Sequence, residues 1–323
     1  MMQPVYINHI ASIHPDGKRI ESESGRYYLA ACEPDYKAVI ANPTLRRRMS
    51  RIVKMGVACG LQCLDDIHTE QIGAVITATG WGCLADTEKF LSSLIDNDER
   101  MITPTPFIQS TFNTIGAQIA LIRQIHAYNM TYAHRGLSFE SALTDALMRI
   151  DEGDEQVLLG SVDEITPASH AVQQRLGLLK GNITAGEGAH FFLLGKEPVN
   201  RYVPIISDVE TFIGLHPADE VSKRITAFLD RNGLQSSHID CLVTGKNGCA
   251  AQDAIYATLE EQLFPQAAHT TFKESCGEYP TASAYALFRV AQDCIDGTHS
   301  GRIVLIYNHY QSVNHSLILI RKP

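Results

Sequence analysis

The chain has 323 residues, of which 20% are charged and 45% are hydrophobic. This composition excludes a disordered, collagen-like or coiled-coil protein, and the length suits two domains or one internally duplicated domain. The 27 basic and 36 acidic residues leave a formal net charge of −9, so neither nucleic acid nor an anionic membrane is expected as a general partner.

In the first 200 residues, short apolar runs alternate with amphipathic stretches, a pattern typical of strands alternating with helices. Strands are predicted over 5–10, 72–79, 156–160 and 189–194. Helices are predicted over 45–64, 87–95, 112–127 and 137–150. Pro104 and Pro106 are expected to interrupt the pattern between the second and third helices.

A second series of the same kind begins near residue 200. Strands are predicted over 203–212, 239–244, 270–273, 302–307 and 316–321, with helices over 219–232, 251–264 and 281–295. Strands that alternate with helices of this length predict parallel sheets covered on both faces. Because both series follow the same order, we interpret the chain as two duplicated α/β halves, residues 1–198 and 199–323.

The compartment can also be predicted from the sequence. No apolar run approaches the roughly 18 residues of a membrane helix, and the N-terminus lacks a signal-peptide pattern. The eight cysteines are scattered along a large chain, which indicates reduced thiols in the cytoplasm. Cys59 and Cys63 lie in a helical pattern without a second ligand pair, so neither a metal nor a cofactor is expected.

Several stretches, in order along nearly the whole chain, resemble the β-ketoacyl synthases. They include PTPFIQSTFNTIGAQIAL (104–121), DEGDEQVLLGSVDE (151–164) and ITAGEGAHFFLLGKE (183–197). The resemblance implies the thiolase-like fold, in which two duplicated α/β halves form a layered α-β-α-β-α arrangement. It also implies acyl transfer by a cysteine at the start of a helix, assisted by two histidines and by backbone amides that hold an oxyanion.

The three catalytic positions of that family are replaced in this chain. Its motifs place Gly136 at the cysteine, Gly245 at the first histidine and Glu278 at the second. No cysteine occurs between Cys83 and Cys241, so a small shift of the alignment cannot restore the nucleophile. The family mechanism is therefore not expected to operate.

Five other residues are candidates for lining an acyl pocket: His134, Arg135, Lys273, Asn308 and His309. His134 and Arg135 flank the degenerate cysteine position at a helix start, which favours anions, although a structural histidine and an internally paired arginine are the alternative. Lys273 can instead pair with Glu278, five residues away.

Cys276 and Cys249 are the alternative nucleophiles, because each lies in a segment that has lost a family histidine. A working thiol needs a nearby base, for which His309 and His134 are the candidates. Buried, inert thiols are the other interpretation.

Two surfaces suggest partners. Arg47, Arg51 and Lys54 share one face if 45–64 is a single helix, and such a face suits an acidic acyl carrier protein or is simply solvated or internally paired. The helix over 112–127 is apolar nearly all round, which suits the family's dimer interface.

The sequence is best explained by a non-catalytic ketosynthase-like subunit. It resembles the short, chain-length-factor-like members found with aryl-polyene-type pathways, which implies an acyl carrier protein and a cysteine-bearing ketosynthase as partners in acyl chain synthesis. A homodimer is the other possible assembly. The alternatives are an active 3-oxoacyl synthase or acyltransferase with a relocated cysteine, and a homodimeric binding or structural protein.

Overall fold

The computed structural model describes residues 3–22, 25–100, 102–297 and 301–322. The strands are β1 (Val5–Ile13), β2 (Arg19–Glu21), β3 (Tyr27–Leu29), β4 (Ile72–Ala78), β5 (Tyr128–Tyr132), β6 (Gln156–Asp163), β7 (Gly188–Gly195), β8 (Ile205–Ile213), β9 (Cys241–Thr244), β10 (Ala268–Thr271), β11 (Ile303–Tyr310) and β12 (Asn314–Arg321). The helices are α1 (Tyr36–Val39), α2 (Pro43–Arg48), α3 (Arg51–Cys63), α4 (Leu84–Asp96), α5 (Pro104–Gln109), α6 (Thr114–Arg123), α7 (Ser138–Glu152), α8 (Pro167–Arg175), α9 (Ala218–Arg231), α10 (Ala250–Gln262), α11 (Lys273–Cys276) and α12 (Ala282–Ile295).

The main sheet has the strand order β10-β9-β11-β12-β8-β1-β7-β6-β4-β5. It consists of two halves that meet where β1 and β8 pair through Val5–Ile206 and Tyr6–Ile205. Each half has the same strand order and the same directions: β4 is parallel to β5 and β6, as β9 is to β10 and β11. The last two pairings of each half are antiparallel, so each half is a mixed sheet, whereas the sequence predicted parallel sheets.

One of these antiparallel pairings follows directly from the connection between its strands. β11 and β12 are joined by a tight hairpin, and only antiparallel neighbours can be joined in that way. The repeated topology agrees with two α/β halves, and the boundary placed between residues 198 and 199 falls in the loop between β7 and β8. The division into two domains at that position remains a prediction.

Five layers are stacked around the two half-sheets. α7 and α12 lie in the middle layer, where their side chains pack against strands of both halves in one buried cluster. α3 and α6 cover the outer face of the N-terminal half, and α9 and α10 cover the outer face of the C-terminal half. The middle helices can be buried on both sides because α7 and α12 present small and apolar residues in both directions, including Ala142, Ala146, Ala284 and Ala286. This is the α-β-α-β-α arrangement expected from the sequence.

Three helix predictions need correction. The single helix over 45–64 is two helices, because Met49 adopts an extended conformation and turns its side chain into the core. Pro104 and Pro106 do not prevent helix formation: they occupy the first turn of α5, where a missing N–H costs little. The apolar helix over 112–127 is shorter, ending before Gln124, which has a left-handed backbone.

Within the ranges that the structure describes, none of the helices is both long enough and apolar enough to cross a membrane.

Candidate functional site

Gly136, the predicted position of the family cysteine, lies in a short 3-10 turn between β5 and α7. Gly136 is buried there, and a Cβ added to it would lie 2.5 Å from Cβ of Tyr310 and 2.6 Å from its Cδ1. The aromatic side chain at the end of β11 therefore fills the space that a nucleophile would need. Replacing the glycine by any larger residue requires Tyr310 to move.

The space at Gly245, the predicted position of the first histidine, is filled in the same way. Gly245 follows β9, and a Cβ there would lie 2.8 Å from the Tyr256 hydroxyl and closer still to Oδ1 of Asn308. Tyr256 also accepts a hydrogen bond from the His309 backbone N–H at 2.9 Å. The space of a side chain at 245 is thus occupied by neighbouring polar groups.

Glu278, at the second histidine position, forms a buried ion pair with Lys273. The Nζ of Lys273 lies 3.0 Å from Oε2 of Glu278 and donates a second hydrogen bond to the His309 carbonyl oxygen at 2.9 Å. The Asn247 amide donates to the same Oε2 atom at 2.8 Å. The pairing considered from the sequence is therefore formed, and it fixes Glu278 as an acceptor rather than a proton-transfer group facing a substrate.

The interior around this pair is unusually polar. Oε1 of Glu278 and Oδ1 of Asn308 are buried without a hydrogen-bond partner among the residues that the structure describes. Glu140 follows Gly136 by four residues, in the first turn of α7. It is fully buried, and its burial raises the pKa of its carboxyl group. Such groups are costly to bury beside an acyl chain, which offers no hydrogen bonds.

His309 is committed to the protein and cannot act as a base for a thiol. Its Nδ1 accepts the Ser312 backbone N–H at 3.3 Å, and its Nε2 lies 3.1 Å from the Gln252 carbonyl oxygen. Burial and the nearby Lys273 ammonium lower its pKa to about 3, so the ring is neutral at physiological pH.

The two alternative nucleophiles have different surroundings. Cys276 is fully buried, its thiol donates to the Gly277 carbonyl oxygen at 3.3 Å, and burial raises its pKa strongly. Cys249 precedes α10 and packs in a small apolar cluster with Leu179 and Ile183. A reactive thiol needs a lowered pKa and access, and Cys276 has neither.

The remaining predicted residues are not in one place. Lys273, Asn308 and His309 belong to the buried cluster, whereas His134 and Arg135 are exposed beside it. The His134 ring lies 3.2 Å from the Ser141 hydroxyl, an interaction within its own helix start.

The prediction that Arg47, Arg51 and Lys54 share one helix face is wrong, because α2 and α3 are separate helices. Arg51 is partly exposed and is held by the fully buried Glu187, which accepts its Nη1 at 2.7 Å, and by Glu33 at 2.6 Å. Arg47 is exposed at the end of α2, whereas Arg51 and Lys54 are partly buried.

Sequence reasoning missed Tyr310, Tyr256 and Asn247, which fill or fix the degenerate positions. For Tyr310 a signal exists, since it lies two residues after Asn308, which the sequence already singles out. Tyr256 lies on a helix several residues from any motif, and nothing in the sequence alone brings it to residue 245.

The chain is similar to known proteins in part of its sequence and in its fold. Residues 25–178, just under half of the chain, match the model of the β-ketoacyl synthase N-terminal domain. The ishigamide ketosynthase/chain length factor superposes with a TM-score of 0.83 at 17% identity, covering 99% of both chains. A chain of the ketosynthase ApeO in complex with its chain length factor ApeC, from Xenorhabdus doucetiae, has a TM-score of 0.77 at 15% identity and covers 99% of this chain and 98% of its own.

A chain of the AntDE:AntF complex, a type II polyketide acyl-carrier protein with its ketosynthase, has a TM-score of 0.79 at 11% identity over 99% of both chains. At these identities the likenesses establish the fold. No curated protein matches the sequence.

The contact between Gly136 and Tyr310 predicts a measurable coupling. Gly136→Ala should destabilise the protein by about 1–3 kcal/mol, because the new methyl group overlaps the Tyr310 ring. In the Tyr310→Ala background the same substitution should cost at least about 1 kcal/mol less, since the ring is absent. Urea unfolding of the four proteins in this double-mutant cycle measures the difference, and equal costs in both backgrounds would show that the ring does not fill this space.

Proposed function

We propose that this chain, a ketosynthase-like protein of the thiolase superfamily, is a non-catalytic, chain-length-factor-like subunit in carrier-protein-dependent acyl chain synthesis. The observation that carries the proposal is the filled space above Gly136. A ketosynthase needs a nucleophile there with room for an acyl group, and Tyr310 leaves room for neither. Glu278, paired with Lys273, supports the same conclusion at the second histidine position.

The similar structures support the choice of partners. ApeO was solved with its chain length factor ApeC, and the AntDE:AntF structure holds an acyl-carrier protein with its ketosynthase. By analogy, the partners of this chain are a cysteine-bearing ketosynthase and an acyl carrier protein.

An exposed apolar face offers a place for the synthase. The edge strand β5 lies at one end of the sheet, next to side chains of α5, α6 and the segment between them. Phe112 is 46% exposed and Leu121 is 71% exposed, and the other large apolar residues on these elements are Phe107, Ile108 and Met130. An open strand edge beside apolar residues is typical of a surface that a partner covers.

Two other functions remain as alternatives. An active acyltransferase would use Cys276 or Cys249, but the buried, hydrogen-bonded Cys276 thiol argues against the first of these. A homodimeric binding protein would use the same apolar face with a second copy of the chain.

The first expectation is inertness. Incubated with acyl- and malonyl-carrier protein, the purified chain should gain no stoichiometric acyl group and release no carbon dioxide, because the nucleophile and both histidines are replaced. Intact-mass spectrometry checks the first outcome and a decarboxylation assay the second. An adduct mapped to Cys249 or Cys276 would instead support the active acyltransferase.

The second expectation concerns carrier docking. Arg47→Glu should weaken binding of the acidic carrier protein about two- to tenfold at low salt, and the wild-type interaction should weaken as salt screens it. Lys223→Glu, on the outer layer of the other half, is the matched control and should bind as wild type does. Arg51 is unsuitable for this test, because its reversal would place an acid against the buried Glu187. Equal binding by both variants would mean that Arg47 is only solvated.

The third expectation concerns the synthase. Co-expressed with the cysteine-bearing ketosynthase of its own pathway, the chain should co-purify as a heterodimer that buries more than ~2,000 Å² in total. Phe112→Glu should abolish co-purification, because it places a charge in the apolar face. Leu215→Glu, which alters an apolar residue in the C-terminal half that is 79% exposed, should leave it intact. A chain that stays homodimeric beside every such synthase would be the binding protein of the second alternative.

A further inference from the structure

A cavity of about 210 Å³ opens between the β2–β3 hairpin and the loop that follows β9. Its inner wall contains Lys273 and Asn247, which are only 3% and 8% exposed and which both bind Glu278. The cavity therefore reaches from the surface to the ion pair that replaces the second histidine. Among the residues that the structure describes, its lining is Arg19, Tyr27, Leu29, Asn182, Thr184, Asn247, Gly248, Lys273 and Glu274.

Several donors in this lining are unused. Within the described ranges of the chain, the side chains of Arg19, Asn182 and Thr184 have no hydrogen-bond or ion-pair partner, and the Arg19 guanidinium lies 4.6 Å over the Tyr27 ring. A ring contact of this kind holds the guanidinium in place while its N–H groups stay free. Lys273 uses two N–H groups, on Glu278 and on the His309 carbonyl, of the three that an ammonium has.

The lining also has an apolar part. Leu29 and the Tyr27 ring form one wall of the cavity, and Glu274, the acidic residue of the lining, is exposed at its rim. Oxygen acceptors of a ligand would meet the unused donors, while a short carbon chain would contact Leu29 and Tyr27. A phosphate ion would satisfy the donors but leave the apolar wall in water.

We propose that this cavity binds a small organic carboxylate, with Arg19 and Asn182 at its entrance and the Lys273 ammonium at its base. This site goes beyond the subunit role, since it needs neither a thioester nor a partner chain. A ligand seated there would contact the groups that hold Glu278, so its binding would stabilise the segment that replaced the second histidine.

Calorimetric titration of the full chain with butyrate tests the proposal. We expect saturable binding at millimolar or lower concentration, and inorganic phosphate should bind about tenfold more weakly because it gains nothing from the apolar wall. Arg19→Gln should weaken butyrate binding about tenfold, the effect of removing one charged partner of the carboxylate. Lys18→Gln removes a neighbouring exposed cation that does not line the cavity, and should bind butyrate as wild type does.

Three results would overturn the proposal. One is no saturable heat with butyrate up to about 10 mM. Another is equal affinity for phosphate and butyrate, which would mean a general anion site. The third is unchanged butyrate binding in Arg19→Gln, which would place the ligand elsewhere. Arg19 is an exposed hairpin residue, so circular dichroism should show an intact fold, and Asn182→Ala provides a second variant with the same expected direction.

Discussion

One buried carboxylate connects the two halves of the molecule at the candidate site. Asp163 ends β6 in the N-terminal half, and its Oδ1 accepts the Thr79 hydroxyl and the backbone N–H groups of Gly80 and Trp81. Its Oδ2 accepts the hydroxyl and the N–H of Thr281, the residue before α12 in the C-terminal half. Burial raises the pKa of this carboxyl group even though its hydrogen bonds oppose the rise. The loop after β4 and the start of α12 are thus held together from a single side chain.

This constraint explains how the segments around Gly136 and Glu278 are held together. The strand ends and helix starts that would surround a reactive cysteine are held by Asp163, Glu187 and the Lys273–Glu278 pair, none of which depends on a nucleophile. Tyr310 can then occupy the space above Gly136. Tyr256 and Asn308 occupy the space beside Gly245 in the same way. Close packing favours filling such a space, because a void lined by the same atoms would lose their contacts. The site is therefore closed by packed side chains around Gly136, whereas polar side chains surround Glu278.

The polar cluster around Glu278 limits what kind of ligand the site can bind. Oxygens of Glu278 and Asn308 are buried here without a hydrogen-bond partner among the residues that the structure describes. An apolar chain cannot satisfy them, whereas water or a polar ligand can. Exposed apolar residues lie on α5, α6 and the edge strand β5, on the outside of the molecule. In the proposed role, the chain would act through this surface.

The sequence by itself determined the alternation of strands and helices and the repeated order of the two halves, because local periodicity carries that information. Short motifs predict Gly136, Gly245 and Glu278 as the replaced positions, and that assignment stays a prediction. The sequence did not determine that Met49 divides a helix, since that choice depends on where a core has room for the side chain. It also did not show that Arg51 turns inward to Glu187, 136 residues away. Only the tertiary structure decided that Tyr310 lies over Gly136 and Tyr256 beside Gly245. Contacts between residues so distant in the chain depend on the packing of β11 and α10 against the middle of the molecule, which no local pattern encodes.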